Sequence, residues 1–157
     1  MRKVIGAIIS IALTAGLFAV LAPSAGAVNI GEEGCTPGYW KTHTSNWEEY
    51  TTGSKLGNQN WDIPASIGSF NDKTFLQALK GTGGTGLNGA ATILFRAVVA
   101  SYLNAAHEGV GFPYRRFQDP GNLQEWIRTT LATENRDAYL ELAATLDAAN
   151  NLGCPLN

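Results

Sequence analysis

The chain has 157 residues with 11 basic and 13 acidic side chains, which gives a formal net charge of −2. This length predicts one domain with a modest hydrophobic core. Beyond Arg2 and Lys3 the basic residues are scattered, and only Arg115 and Arg116 are adjacent, so the basic stripe of a nucleic-acid-binding protein is missing. We therefore expect no nucleic acid among its partners.

Residues 1–27 have the pattern of a signal peptide. An uncharged apolar run over residues 4–22 follows Arg2 and Lys3 and is broken by Pro23. Small residues at 25–27 then form a cleavage pattern, which predicts a cut after residue 27. The alternative is a retained membrane anchor, because the run is nearly long enough to span a bilayer. We expect residues 28–157 to form a single secreted, extracellular helical domain with no membrane contact after cleavage.

Two cysteines, Cys35 and Cys154, lie near the two ends of that domain. In an exported protein such a pair most simply forms one disulfide, and the alternatives are two free thiols or an intermolecular bridge. A disulfide would place the two alpha carbons about 4.4–6.8 Å apart. Zinc sites use clustered Cys and His residues at short spacings, so no metal site is expected here.

The N-terminal half of the domain is predicted to hold short helices and irregular loops. Thr36 and Pro37 look like the N-cap and first residue of a helix that runs to residue 43. Residues 51–69 show no sustained period and are interpreted as a loop held by Trp61 and Ile63. The apolar spacing of residues 71–80 predicts a second helix.

Residues 81–86 match the dinucleotide-binding pattern G-x-G-x-x-G. That pattern binds a cofactor when a strand precedes it and a helix follows. Here a helix is predicted before it and no strand is apparent nearby. We interpret the segment as a flexible linker and expect no cofactor.

Residues 88–107 form the predicted central helix, because apolar residues surround nearly its whole circumference. We expect the guanidinium of Arg96 to meet a carboxylate or backbone carbonyls, since an unpaired buried charge is costly. The alternative is that Arg96 reaches the surface along its aliphatic stem. One polar stripe, for which we favour a structural role over a functional pocket, comprises Thr92, Arg96, Asn104 and His107.

Two further helices complete the predicted fold. Asp119 and Pro120 resemble an N-cap and a proline start for a helix to residue 131. The last helix is predicted over residues 135–151, with Gly153 as its C-cap residue. The fold class is therefore all-α: about five helices around the central helix, irregular N-terminal loops, and one disulfide that joins the ends.

Catalytic motifs are weak in this sequence. His43 and His107 are the two histidines, and neither lies in a zinc-protease motif or beside a nucleophile elbow. A glycosidase would need two carboxylates across a cleft. The acidic candidates for such a pair are Glu48, Glu49, Asp62 and Glu125. A small secreted hydrolase is therefore the second hypothesis, without assigned catalytic residues.

Five aromatic residues fall close together in the N-terminal half of the domain. If exposed, they could stack on sugar rings or form an interaction patch, and if buried they would build the core. Burial of most of them is the preferred interpretation. These candidate binding residues are Tyr39, Trp40, Trp47, Tyr50 and Trp61.

The segment that opens with Cys35, which reads Cys-Thr-Pro-Gly-Tyr-Trp-Lys-Thr-His, resembles the first segment of a family of exported domains. Residues 94–106 and the ending Asn-Asn-Leu-Gly-Cys-Pro over residues 150–155 are similar to the middle and close of that family. The resemblance implies an exported or cell-surface protein and supports the cysteine pairing. It carries over no catalytic residue.

The sequence thus favours a non-catalytic extracellular module with a structural or adhesion-type binding role. A cell-surface polysaccharide or protein is the expected partner. The hydrolase hypothesis would gain support from a cleft that joins His107 to a carboxylate.

Overall fold

The computed structural model describes residues 31–117 and 121–156. Within these ranges the chain is helical, and its extended pairing is limited to two isolated bridges. The helices are α1 (Pro37–Thr42), α2 (Phe75–Leu79), α3 (Gly86–Ala106), α4 (Leu123–Ala132) and α5 (Arg136–Asn150). The predicted all-α fold is confirmed. The predicted signal peptide and the Asp119–Pro120 helix start lie outside the described residues.

Helix α3 is the centre of the fold, as predicted. α5 packs along it, α1 and α2 contact other parts of it, and α4 packs on α5. By length and composition alone α3 could span a membrane, but most of it is buried inside the domain. This burial explains why its sequence is apolar on nearly every side. Its fully buried large side chains are Leu94, Phe95, Val98, Val99 and Tyr102.

Side-chain caps set where the helices begin. The hydroxyl of Thr36 accepts the N–H of Tyr39 at 3.1 Å, which confirms the predicted start of α1. Thr74 and Gln77 form a capping box, so α2 begins at Phe75 and not near residue 71. The side chain of Asn122 caps α4, which places the start of that helix at Leu123.

The C-terminal end of α5 differs from the prediction. The helix ends at Asn150 with Asn151 as its C-cap residue. Gly153 instead pairs with Gly34 in an antiparallel bridge, and the N–H of Gly34 donates to the Gly153 carbonyl at 2.9 Å. Gly153 has a φ of +125°, a conformation that glycine adopts easily. The two ends of the domain therefore lie side by side.

The disulfide between Cys35 and Cys154 covalently joins these ends. Their alpha carbons are 4.4 Å apart, within the predicted range, and the bond closes a sequence separation of 119 residues. Among the described residues no free cysteine remains. Disulfides form and persist in oxidising environments, so the bond indicates such a compartment for this protein.

The two segments predicted to lack regular structure are well packed. Between residues 51 and 69 the chain forms short 3-10 turns, Trp61 is buried, and Ile63 packs against the core. Residues 81–86 lie against the start of α3. A side chain at Gly89 of α3 would collide with the backbone of Gly84. The segment thus connects α2 to α3 with a close backbone approach between Gly84 and Gly89.

Candidate functional site

Asn104 occupies the centre of a buried polar network. Its side-chain oxygen accepts the backbone N–H of Cys35 at 2.8 Å and the indole N–H of Trp40 at 3.0 Å. Its amide nitrogen donates to the Cys35 carbonyl at 2.9 Å and to the Asn150 side-chain oxygen at 2.8 Å. One side chain of α3 thus holds the disulfide-bearing segment, the first helix and the last helix.

Asn150 extends this network along α5. Its side-chain oxygen also accepts the Ser101 hydroxyl at 3.1 Å, and its amide nitrogen donates to the Ala97 carbonyl at 3.0 Å. Ser101, Asn104 and Asn150 are all fully buried. No buried side-chain nitrogen or oxygen in the described part of the chain lacks a partner. The network is therefore structural, and Ser101 is not available as a nucleophile.

The other members of the predicted polar stripe do not form a single site. Thr92 donates its hydroxyl to the Asn88 carbonyl at 2.9 Å, while Asn104 lies in the buried network. Arg96 is half-buried and its guanidinium makes no hydrogen bond or ion pair with any residue that the structure describes. The prediction of a paired Arg96 is therefore wrong, because its side chain reaches an open pocket instead.

His107 does have a carboxylate neighbour, but both of its ring nitrogens are occupied. Nδ1 lies 3.0 Å from the Gly109 N–H, which must donate to it, and Nε2 lies 3.5 Å from Glu48. The other oxygen of Glu48 accepts the Glu108 N–H at 2.9 Å. The contact ties the end of α3 to the N-terminal loops. A general base needs a nitrogen that faces substrate, whereas in this structure both nitrogens of His107 face groups of the chain itself.

The remaining carboxylates are dispersed over the surface. Glu49 pairs with Arg116, whereas Asp62 and Glu125 line one depression of about 370 Å³, open to solvent, beside Arg128. The Asp62 carboxylate is 3.9 Å from the Arg128 guanidinium, and both acids are exposed. The acid of a glycosidase usually sits in a buried or apolar environment, which this depression does not provide.

The five aromatic candidates do not share one surface. Trp40 and Trp61 are core residues: Trp61 donates its indole N–H to the Tyr102 hydroxyl at 2.7 Å and stacks on Phe95. Both are corrected from binding candidates to core, because each indole N–H has a partner inside the domain. The half-buried members are Tyr39, which stacks on His43, Trp47, which donates to the Trp40 carbonyl, and Tyr50.

Tyr50 belongs to a surface cluster that sequence analysis missed, which we call the arginine cluster: Glu49, Tyr50, Arg116 and Phe117. The guanidinium of Arg116 donates to both carboxylate oxygens of Glu49 at 2.7 and 2.8 Å and to the Tyr50 hydroxyl at 3.0 Å. Its central carbon lies 5.5 Å from the Tyr50 ring centre and 5.3 Å from that of Phe117. These are cation–π distances.

A groove runs beside the arginine cluster. It has a volume of about 350 Å³ and is open to solvent. Its apolar lining comes from Val110, Phe112 and Tyr114, and Arg116 and Phe117 form one border. The sequence signal for this surface was the pair of arginines beside an aromatic connection, at positions 111–117.

The electrostatics of the arginine cluster follow from its contacts. The hydrogen bonds from Arg116 lower the pKa of Glu49 below its ordinary value of 4.5. Burial raises the pKa of the Tyr50 phenol, which therefore stays protonated at neutral pH. The Glu49 carboxylate is charged under the same conditions, so Arg116 is held in place by one charged and one neutral acceptor.

We expect the arginine cluster to be lost only in acid. A carboxyl whose pKa is lowered on folding stabilises the fold above its unfolded pKa, here 4.5, and loses that contribution as pH falls through the folded pKa. NMR titration of the Glu49 side chain should give a midpoint below 4.5. In the Arg116→Gln variant the midpoint should move back up, and an unchanged midpoint would contradict this assignment.

The described residues contain no group of three or more His, Cys, Asp or Glu side chains that could hold a metal ion. The chemically distinctive surface features are thus the arginine cluster with its groove and the pocket that Arg96 reaches. Comparisons of the chain with protein-family models, with curated proteins and with solved structures found no match.

Proposed function

We propose that this chain is exported and acts outside the cell as a non-catalytic, adhesion-type binding module. The signal-peptide pattern of residues 1–27, the disulfide and the resemblance to exported domains support the location. The absence of a free nitrogen on His107 and the burial of Ser101 argue for binding over hydrolysis. The partner is a component of a cell surface, a polysaccharide or a protein.

The observation that carries the proposal is the arginine cluster. Arginine and aromatic side chains are the residue types that most often dominate binding energy at interfaces. Glu49, Tyr50 and Phe117 hold the Arg116 side chain, which is only 13% exposed, while Phe117 is 40% exposed, so an apolar ring faces solvent beside a fixed and mostly covered cation. Contacts within the free protein have already ordered these side chains, which lowers the entropy lost on binding.

Backbone conformation also supports a prepared surface. Glu49 has a φ of +60°, which is unusual for a residue other than glycine and costs of the order of 1–3 kcal/mol. The carboxylate of this residue accepts a hydrogen bond from Arg116, which is 67 residues further along the chain. We infer that the surrounding contacts maintain the strain in order to position Arg116.

Binding to intact cells tests the proposal. Fluorescently labelled protein is incubated with cells of the producing strain, and the bound fraction is measured after pelleting. Phe117→Ala should weaken retention at least ten-fold, which corresponds to about 1.4 kcal/mol, because it removes the exposed ring at a binding hot spot. The matched control is Leu152→Ala, which truncates a second large exposed apolar side chain, 49% exposed.

The control should retain wild-type binding, and both variants should melt within a few degrees of the wild type. Protease treatment of the cells then separates a protein partner from a polysaccharide, since only a protein partner is destroyed. Equal retention of the wild type and Phe117→Ala would contradict the proposed site.

A further inference from the structure

A second pocket lies on a different part of the domain, where four helices meet. α1, the C-terminal end of α2, the middle of α3 and the C-terminal end of α5 line a concave surface of about 370 Å³ that is open to solvent. This size falls within the range of small-ligand sites. Its polar and charged lining includes Lys41, Lys80, Thr82, Arg96, Asp147 and Asn151.

The charges around this pocket are unbalanced. Lys41, Lys80 and Arg96 face it together with one carboxylate, that of Asp147, although the whole chain is net negative. In the part of the chain that the structure describes, none of the three cationic groups forms an ion pair or a side-chain hydrogen bond. Three like charges around one concavity repel one another and attract an anion.

The two lysines lie at the C-terminal ends of helices, where a positive charge is favourable, but Arg96 does not. Lys41 lies in the last turn of α1 and Lys80 is the C-cap residue of α2, positions where a cation is favourable. Arg96 lies in the middle of α3 between Phe95 and Ala97, both buried, and gains no such benefit. Arg96 opens into the pocket and has no partner among the described residues, so its guanidinium is available to a group from outside the chain.

The backbone brings these groups together by a close approach at Gly81. A Cβ atom at Gly81 would lie 2.5 Å from the Thr92 methyl carbon, so a larger residue would force the Thr92 side chain or the backbone to shift. Thr92 is one helical turn before Arg96 on α3. The approach therefore places Lys80 and Thr82 beside Arg96.

We propose that this pocket binds an acidic sugar residue of an extracellular carbohydrate. The anionic group of the sugar would meet Arg96, whose planar guanidinium suits a carboxylate or phosphate, with the two lysines beside it. Hydroxyl groups of the same sugar would donate to Asp147 and bond with Asn151 and Thr82. A ligand with one anionic group and several hydroxyls satisfies both parts of the lining.

Calorimetric titration of the purified protein tests this inference, which does not depend on the arginine cluster. The probes are trigalacturonate, which carries carboxylates, and maltotriose, a neutral trisaccharide of similar size. Inorganic phosphate and sulfate separate a sugar site from a simple anion site. We expect trigalacturonate to bind, maltotriose to bind at least ten-fold more weakly, and the inorganic anions to bind more weakly than trigalacturonate.

The matched variants are Arg96→Gln in the pocket and Arg136→Gln, an exposed arginine at the start of α5. Arg96→Gln should weaken trigalacturonate binding at least ten-fold without lowering the melting temperature, and Arg136→Gln should change neither. Phe117→Ala should leave this binding unchanged, which separates the pocket from the cell-binding surface. Equal losses in both arginine variants, no trigalacturonate binding by the wild type, or phosphate or sulfate binding as tight as trigalacturonate would overturn the proposal.

Discussion

Replacement of Asn104 with alanine is expected to destabilise the domain by at least about 3 kcal/mol. The change leaves the backbone N–H and carbonyl of Cys35 and the indole N–H of Trp40 buried without partners. Each such group costs about 1–3 kcal/mol. Since the free energy of unfolding of a typical domain is only about 5–15 kcal/mol, this single side chain contributes a large share of it. Urea unfolding followed by tryptophan fluorescence measures the effect.

Asn88→Ala is the matched control for this experiment. Asn88 is exposed near the start of the same helix, so the same substitution there changes helix propensity without opening the network. The control should be as stable as the wild type or slightly more stable. If Asn104→Ala unfolds within about 1 kcal/mol of the control, the network does not stabilise the fold as described.

Removal of the disulfide is the second large effect. The double variant Cys35→Ala/Cys154→Ala should lose about 4–5 kcal/mol, because the bond closes a loop of 119 residues and restricts the unfolded chain. The backbone groups of residue 35 that bond to Asn104 remain in this variant. We therefore expect a folded but much less stable domain, detectable by its helical circular dichroism and a lower melting temperature.

A reductant provides the control for the disulfide prediction. Dithiothreitol should lower the melting temperature of the wild-type protein to near that of the double variant. It should have no effect on the double variant, which contains no thiol. A wild-type melting temperature that reductant does not change, after complete reduction is shown by thiol titration, would contradict the predicted contribution.

Much of the fold was predictable from local sequence. The apolar circumference of α3 and the Thr36–Pro37 start of α1 depend only on residues that are close together in the sequence. The first and last residues of the helices were less predictable, because they depend on capping hydrogen bonds and on contacts with distant parts of the chain. The capping box of Thr74 and Gln77 places the start of α2 at Phe75, later than predicted. Gly153 pairs with Gly34, which lies near the other end of the described chain.

The candidate surfaces were harder to predict because their residues meet only through the tertiary fold. Arg116 and Glu49 are 67 positions apart, and the positive φ of Glu49 gives no local signal. From the sequence, Trp40 and Trp61 were plausible sugar-binding residues. In the structure their indole N–H groups donate to Asn104 and Tyr102 inside the domain. Arg96 was expected to meet a carboxylate or backbone carbonyls because the sequence cannot show that its side of α3 opens into a pocket.

Hydrogen exchange on the cell-bound protein shows whether the domain binds cells through the arginine cluster and its groove. The protein is exchanged free and bound to intact cells of the producing strain, released in acid, and compared peptide by peptide. We expect slower exchange on binding in peptides that cover residues 49–50 and 110–117, and no change across α3 at Asn104, where the network is already buried. Uniform exchange in the two states, or protection confined to peptides distant from the arginine cluster, would contradict this expectation.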